Sequence, residues 1–146
     1  MYLIGPASNQ ILEWTKDRGL MNSCIFFLGL MPYHQVAEHL RNADALIMFS
    51  RYENLACVIL EALTCGLPVI STDVGGIREV IHEENGILIQ SEQEDELLKA
   101  MDQLLDKIDM FDKQKIAFSA KEKFSFEIAG RQFDELYKEV LSNKHG

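Results

Sequence analysis

The sequence of 146 residues predicts an α/β fold, a doubly wound parallel sheet with helices on both faces. Short apolar runs of strand length, each bounded by Gly, Pro, Asp or Ser, alternate with longer segments of helical periodicity. Strands that alternate with helices pair in parallel through right-handed crossovers, which gives a Rossmann-like layer. The strand-length runs lie at residues 1–4, 25–28, 45–49, 69–71 and 86–89.

Helical patterns fill the intervals between these runs and the carboxyl-terminal third of the chain. Ser91 and Glu94 have the spacing of a capping box, which predicts that a helix carrying Leu97 begins there. Gly66 follows another helical pattern and is predicted to end that helix. Without repeats or an interior linker, residues 1–146 are expected to form one domain. The other predicted helices lie at residues 9–18, 34–42, 56–64, 77–82, 110–123 and 126–142.

Composition excludes several classes of function. A net charge of −9 argues against nucleic-acid binding, which requires a basic face. No apolar run approaches the ~20 residues of a membrane span, so membrane contact is expected to be peripheral at most. The cysteines Cys24, Cys57 and Cys65 are expected to be buried and reduced, as in a cytoplasmic protein. Neither cysteines nor histidines have metal-ligand spacing, so no metal site is predicted.

Two glutamates mark a candidate binding site. An open parallel sheet binds its ligand outside the carboxyl ends of its strands. This rule selects four loops, and the third of them contains Glu53: residues 5–6, 29–32, 50–54 and 72–76. Glu61 follows in the early half of the next helix. The amino terminus of that helix offers free N–H groups to a phosphate, whereas carboxylates accept hydrogen bonds from sugar hydroxyls. A pyrophosphate between a ribose and a second sugar fits this arrangement.

The motifs around these glutamates resemble those of a known family. Glu53 and Glu61 form an E-x7-E spacing that continues as "EALTCGLPVISTDVGGIREVI", with "LIGP", "FFLG" and "ADALIMFS" upstream and "FSFEIAGRQFDELYKEVL" downstream. Together they resemble retaining glycosyltransferases of the GT-B fold, most closely the large family 4, glycosyl transferases group 1. The resemblance covers nearly the whole chain. It implies the carboxyl-terminal domain, which binds the donor nucleotide.

The resemblance implies roles for the two glutamates. Glu53 matches the catalytic glutamate, which contacts hydroxyls of the transferred sugar near the reacting carbon. Glu61 matches the residue that holds the ribose hydroxyls of the nucleotide. The implied reaction is hexosyl transfer with retention from a nucleotide-diphosphate sugar to a glycan or lipid-linked acceptor, in capsule, lipopolysaccharide or exopolysaccharide synthesis. It requires neither a metal nor a further cofactor.

Five further positions are implied to contact the donor. The backbone amides of Asn54, Leu55 and Ala56 match those that approach the sugar and the diphosphate. Leu30 and Met31 occupy the loop that meets the nucleobase through main-chain groups.

The segment Asn54-Leu55-Ala56 departs from the family pattern of Gly-aromatic-Gly. Asn tolerates a left-handed conformation, so the turn is expected to survive, but Leu55 and Ala56 narrow the space that glycine leaves open. A degenerate, non-catalytic nucleotide- or phosphate-binding module therefore stays open as an alternative. A response-regulator receiver is disfavoured because Phe49-Ser50, and no aspartate cluster, ends the third strand.

The sequence also lacks parts that the family usually has. Family members open this domain with one more strand and a Gly-Arg…Glu-Lys-Gly stretch, whose Arg and Lys neutralise the diphosphate. The resemblance therefore implies a half-domain without its first strand, which in the intact enzyme works with an acceptor domain. The isolated chain is expected to bind nucleotide weakly, to lack transferase activity and to self-associate through faces left apolar or unpaired.

Overall fold

The computed structural model describes residues 1–143. The strands are β1 (Tyr2–Ile4), β2 (Phe26–Gly29), β3 (Leu46–Met48), β4 (Val69–Thr72) and β5 (Gly86–Ile89). The α-helices are α1 (Asn9–Asp17), α2 (Tyr33–Arg41), α3 (Cys57–Thr64), α4 (Glu94–Asp106), α5 (Lys113–Phe124) and α6 (Phe126–Asn143). Short 3-10 helices lie at Ile77–Glu79 and Ile108–Met110. Every predicted strand is present, with each end within one residue of its expected position.

The strands pair in parallel within two compact units of the chain. The first unit, Met1–His39, contains β1 paired with β2. Its aromatic contacts centre on Tyr2, whose ring lies 5.4 Å from that of Phe26 and 5.5 Å from that of His39. The second unit begins at Leu40 and contains β3, β4 and β5 in that order. The α/β class and its parallel pairing are therefore confirmed.

The described strands form two separate parallel sheets, β1–β2 and β3–β4–β5, and not one continuous sheet.

The second unit is built around β4, which lies between β3 and β5 and is buried along its whole length. Ile70 packs with Ile89 of β5 and with Ala100 and Leu104 of α4. The helix α3 contacts β4 and α5, and it buries Ile59, Ala62 and Leu63. This packing fixes the carboxyl end of β4 and the start of the segment that follows it.

The end of α3 is a Schellman motif, as the position of Gly66 predicts. Gly66 has a φ of +81°, and its N–H donates to the carbonyl of Leu63 at 2.9 Å. The N–H of Leu67 donates to the carbonyl of Ala62 at 3.0 Å. These two bonds satisfy carbonyls that would otherwise lack a partner at the helix end.

The predicted capping box at Ser91 and Glu94 is wrong. The cap of α4 is Gln93, and no side chain caps that helix. Because Glu92 adopts a left-handed φ of 61°, the chain turns between Ser91 and the first helical residue. Glu96 accepts a hydrogen bond from the N–H of Gln90 at 2.8 Å instead.

The start of α5 also differs from its prediction at residue 110. Asp112 caps this helix, and its Oδ1 accepts from the N–H groups of Gln114 and Lys115 at 3.0 Å each. The residues just before it form the 3-10 helix Ile108–Met110. The side-chain cap at Asp112 therefore determines where α5 begins, although the apolar periodicity of the sequence extends to earlier residues.

The expected burial of the cysteines is wrong for two of the three. Cys24 and Cys57 are exposed, and Cys65 is half-buried. Cys57 opens α3 on the face that also carries Glu61, four residues later, and this face is not the buried one. In the described part of the chain, no helix combines the length and the apolar character needed to cross a membrane.

Candidate functional site

The loop between β3 and α3, residues 49–56, carries the first predicted glutamate. It contains no regular secondary structure before α3 begins at Cys57. Glu53 is half-buried in this loop. Within residues 1–143, its carboxylate makes no hydrogen bond or ion pair, so it can accept a ligand hydroxyl.

The amino terminus of α3 follows directly. Its cap, Ala56, has an extended backbone (φ −68°, ψ 120°) and offers no side-chain hydrogen bond to the first turn. The first N–H groups of α3 are therefore not satisfied by a capping side chain, which leaves them suited to an anion. Glu61 is half-buried on the same helix, about 6 Å along the axis from Cys57. The two glutamates thus lie on either side of this helix start along the chain.

The turn after Glu53 forms without a left-handed residue at Asn54. In the described part of the chain, the positive-φ residues other than glycine are Asn22 and Glu92. Leu55 and Ala56 are half-buried. The left-handed residue near this turn is instead Gly75, with a φ of +57°, in the segment after β4.

The segment after β4 contacts the Glu53 loop backbone to backbone. The N–H of Gly76 donates to the carbonyl of Asn54 at 2.6 Å. A Cβ at Gly75 would overlap the carbonyl oxygens of Glu53 and Asn54. The hydroxyl of Thr72, a fully buried residue, donates to the carbonyl of Ser50 at 2.6 Å.

An ion pair joins two residues of the segment after β4. The Nε of Arg78 donates to Oδ1 of Asp73 at 2.9 Å, and its Nη2 donates to Oδ2. This bidentate hydrogen bond lowers the pKa of Asp73 and, reciprocally, raises the pKa of Arg78. Asp73 is mostly covered whereas Arg78 is 69% exposed, so the pair is partly screened by solvent.

A second ion pair reaches the Glu53 loop from the segment after β5. The Nε of Arg51 lies 2.8 Å from Oε1 of Glu92. Both side chains are mostly exposed, so this pair contributes little to stability.

The predicted site residues are divided between the two compact units of the chain. Glu53, Glu61 and the segment Asn54-Leu55-Ala56 lie in the second unit, in one loop and the helix that follows it. Leu30, which is 85% exposed, and Met31 belong to the first unit, after β2. Their contact with a nucleobase stays a prediction.

Sequence reasoning selected the loop from Thr72 to Gly76 as a candidate ligand loop, but it did not predict the contacts of Thr72 and Asp73 or any role for Arg78. The sequence signals were weak: a threonine followed the run Val69-Ile70-Ser71, and an Asp and an Arg flanked Gly75-Gly76 at a spacing of five residues. The hydrogen bond of Thr72 joins residues 22 positions apart, and no local pattern encodes it.

A cavity of about 870 Å³ lies apart from these residues, against β5, the end of α4 and the start of α5. Its lining includes Ile87, Leu88, Lys107, Phe111 and Lys115, and none of the predicted site residues. In the part of the chain that the structure describes, no three His, Cys, Asp or Glu side chains are grouped to hold a metal ion.

Known proteins share this fold and sequence pattern. The chain is 32% identical over 146 residues to N-acetyl-alpha-D-glucosaminyl L-malate synthase from Bacillus anthracis, an alignment that covers 97% of the chain and 38% of that relative. The structure matches sucrose-phosphate synthase from Thermosynechococcus elongatus with a TM-score of 0.82 and 23% identity, over 97% of the chain and 38% of that protein. It matches Alr3699/HepE from Anabaena, solved in complex with UDP, with a TM-score of 0.80 and 23% identity, over 94% and 40%.

The structural likenesses show the fold, that of one half of a GT-B glycosyltransferase. The chain spans well under half the length of the relatives that it matches. The family model for glycosyl transferases group 1 matches residues 1–118, most of the chain. The chain therefore belongs to the glycosyl transferases group 1 family.

Proposed function

We propose that this chain is the donor-binding domain of a retaining hexosyltransferase, and that it binds a nucleotide-diphosphate sugar. The observation that carries the proposal is the uncapped start of α3 between Glu53 and Glu61. The N–H groups of this helix start meet the diphosphate, Glu61 accepts hydrogen bonds from the ribose hydroxyls, and Glu53 accepts from the sugar.

In the intact enzyme, an acceptor domain supplies the other wall of the site. The acceptor hydroxyl attacks the anomeric carbon on the face from which the diphosphate leaves, and the leaving phosphate takes the proton. The configuration of the sugar is thereby retained. The proposed acceptor is a glycan or a lipid-linked sugar. We propose that the transfer takes place in the cytoplasm, as a step of polysaccharide synthesis. No metal is assigned a role.

The isolated chain is proposed to bind nucleotide weakly and to have no transferase activity. It offers the diphosphate a helix terminus, and such a dipole contributes about 0.3–1 kcal/mol at an exposed site. The nearby cations Arg51 and Arg78 are engaged with Glu92 and Asp73. Multi-turnover sugar transfer by the purified chain would contradict this proposal.

A second candidate function is a degenerate module that binds nucleotide without catalysis. The replacement of Gly-aromatic-Gly by Asn54-Leu55-Ala56 favours it, since two side chains occupy space next to Glu53. Such a module would bind a nucleoside diphosphate without any contribution from the sugar.

Calorimetric titration of the chain with UDP and with inorganic phosphate tests the proposal. UDP is expected to bind more tightly than phosphate, and Glu61→Ala is expected to weaken UDP binding by about 1–3 kcal/mol, the cost of losing a charged acceptor. Glu53→Ala should leave UDP binding nearly unchanged because its expected partner is the sugar. Glu122→Ala, at an exposed position of α5, is the matched control. Equal UDP affinity in wild type and Glu61→Ala would refute the ribose assignment.

A further inference from the structure

The shape of the Glu53 loop is set by contacts from outside the loop. Residues 49–56 have neither helical nor strand hydrogen bonding of their own. The neighbouring strand β4 is buried along its whole length and paired on both sides. A group anchored at the end of β4 can therefore hold the loop against a fixed frame.

Thr72 provides the first contact. It is the last residue of β4, it is fully buried, and its Oγ1 donates to the carbonyl of Ser50 at 2.6 Å. Replacing the hydroxyl by a methyl group would leave that carbonyl without this donor. Ser50 is thereby fixed three residues before Glu53.

Gly75 and Gly76 provide the second contact, directly at Glu53. The backbone of Gly75 approaches the carbonyls of Glu53 and Asn54 so closely that any Cβ would overlap both oxygens. Gly76 donates its N–H to Asn54 at 2.6 Å. Only glycine combines this approach with the φ of +57° at position 75.

The ion pair between Asp73 and Arg78 spans the two glycines and restrains their segment. Asp73 also donates its backbone N–H to the carbonyl of Ile89 at 2.8 Å, which ties the segment to β5. Residues 72–76 are thus anchored to the sheet at one end, and the hydrogen bond from the Arg78 guanidinium to Asp73 restrains the segment across the two glycines.

We infer that residues 72–76 position the Glu53 carboxylate toward the sugar of the donor. Thr72 and Gly76 fix the backbone before and after Glu53, and Gly75 sets the distance between the two segments. This inference rests on the proposed function, because it assigns these residues a role only if Glu53 meets a sugar. They are positioning residues, and none of them needs to touch the ligand.

The test is the affinity of the 146-residue chain for UDP-glucose relative to UDP. A structural defect would lower both affinities, whereas misplacement of Glu53 lowers only the contribution of the sugar. We expect Gly75→Ala to reduce the affinity for UDP-glucose relative to UDP by about tenfold, the scale of one charged hydrogen bond. Gly130→Ala is the matched control, because a Cβ at that glycine meets open space.

A second pair of variants keeps the inference testable if Gly75→Ala fails to fold. Thr72→Val removes the hydroxyl and nearly preserves the shape of the side chain, so it is expected to lower the ratio of the affinity for UDP-glucose to the affinity for UDP. Thr72→Ser retains a hydroxyl donor and is expected to keep this ratio at its wild-type value. An unchanged ratio in both Gly75→Ala and Thr72→Val would overturn the inference while leaving the proposed function intact. The inference is also overturned if the wild-type chain binds UDP-glucose no more tightly than UDP. If the wild-type chain binds neither ligand, the proposed function itself is overturned.

Discussion

At the scale of single residues, the carboxylate of Asp73 makes the stability of the site region depend on pH. The hydrogen bond from Arg78 holds the pKa of Asp73 below its ordinary value. A carboxyl whose pKa is lower in the folded than in the unfolded chain contributes stability above its unfolded pKa. That contribution is lost as the pH falls through the folded pKa.

We therefore expect the difference in unfolding free energy between wild type and Asp73→Asn to be constant from about pH 5 to 7 and to shrink below about pH 4. Urea denaturation at several pH values measures this difference. In an Arg78→Gln background, the effect of Asp73→Asn on the unfolding free energy should no longer depend on pH. A difference that grows as the pH falls would contradict the assigned ion pair.

At the scale of elements, two glycines, one at the end of a helix and one within a helix, are expected to respond in opposite ways to replacement by alanine. Gly66 ends α3 with a φ of +81°, and a Cβ there would overlap the backbone carbonyl of Lys113 at the start of α5. Gly130 lies within α6, where a Cβ meets nothing within 4 Å.

Gly66→Ala is expected to destabilise the chain by roughly 1–3 kcal/mol, the cost of a left-handed conformation in a residue with a side chain. Gly130→Ala should instead stabilise it by about 0.5–1 kcal/mol, since alanine favours the helix. Midpoints of urea unfolding compare the two variants with wild type. Changes of the same sign in both would argue against the Schellman end of α3.

Elements were the level at which sequence reasoning succeeded. Each strand is a short apolar run between turn residues, a signal contained in the few residues that form it, and Gly66 acts through its own φ. Capping was harder to predict, because Ser91 fits the motif but the left-handed Glu92 removes it from the helix start. The contact of Thr72 with Ser50 joins the end of β4 to the loop after β3, so only the tertiary structure reveals it.

At the scale of the whole molecule, α6 presents an exposed apolar face. Residues spaced alternately by three and four positions share this face, and Phe126, Phe133, Leu136 and Val140 are each at least half exposed. The ion pair between Asp134 and Lys138 lies away from this face. A face of this kind favours association with another apolar surface.

We propose that the isolated chain self-associates through this face of α6. Sedimentation velocity over a range of concentrations should detect assemblies in wild type and mostly monomer in Phe133→Glu. Glu135→Lys changes a charge on the opposite face and should behave like wild type. A wild-type chain that stays monomeric at every concentration would rule out this association.

The most direct test of the donor-binding account is a crystal structure of the chain with UDP-glucose. We predict that the diphosphate lies at the backbone amides of residues 54–56 and at the start of α3, with Glu61 hydrogen-bonded to the ribose hydroxyls and Glu53 to the glucose. Nucleotide bound in the cavity against β5, or bound at α3 with Glu61 away from the ribose, would contradict it.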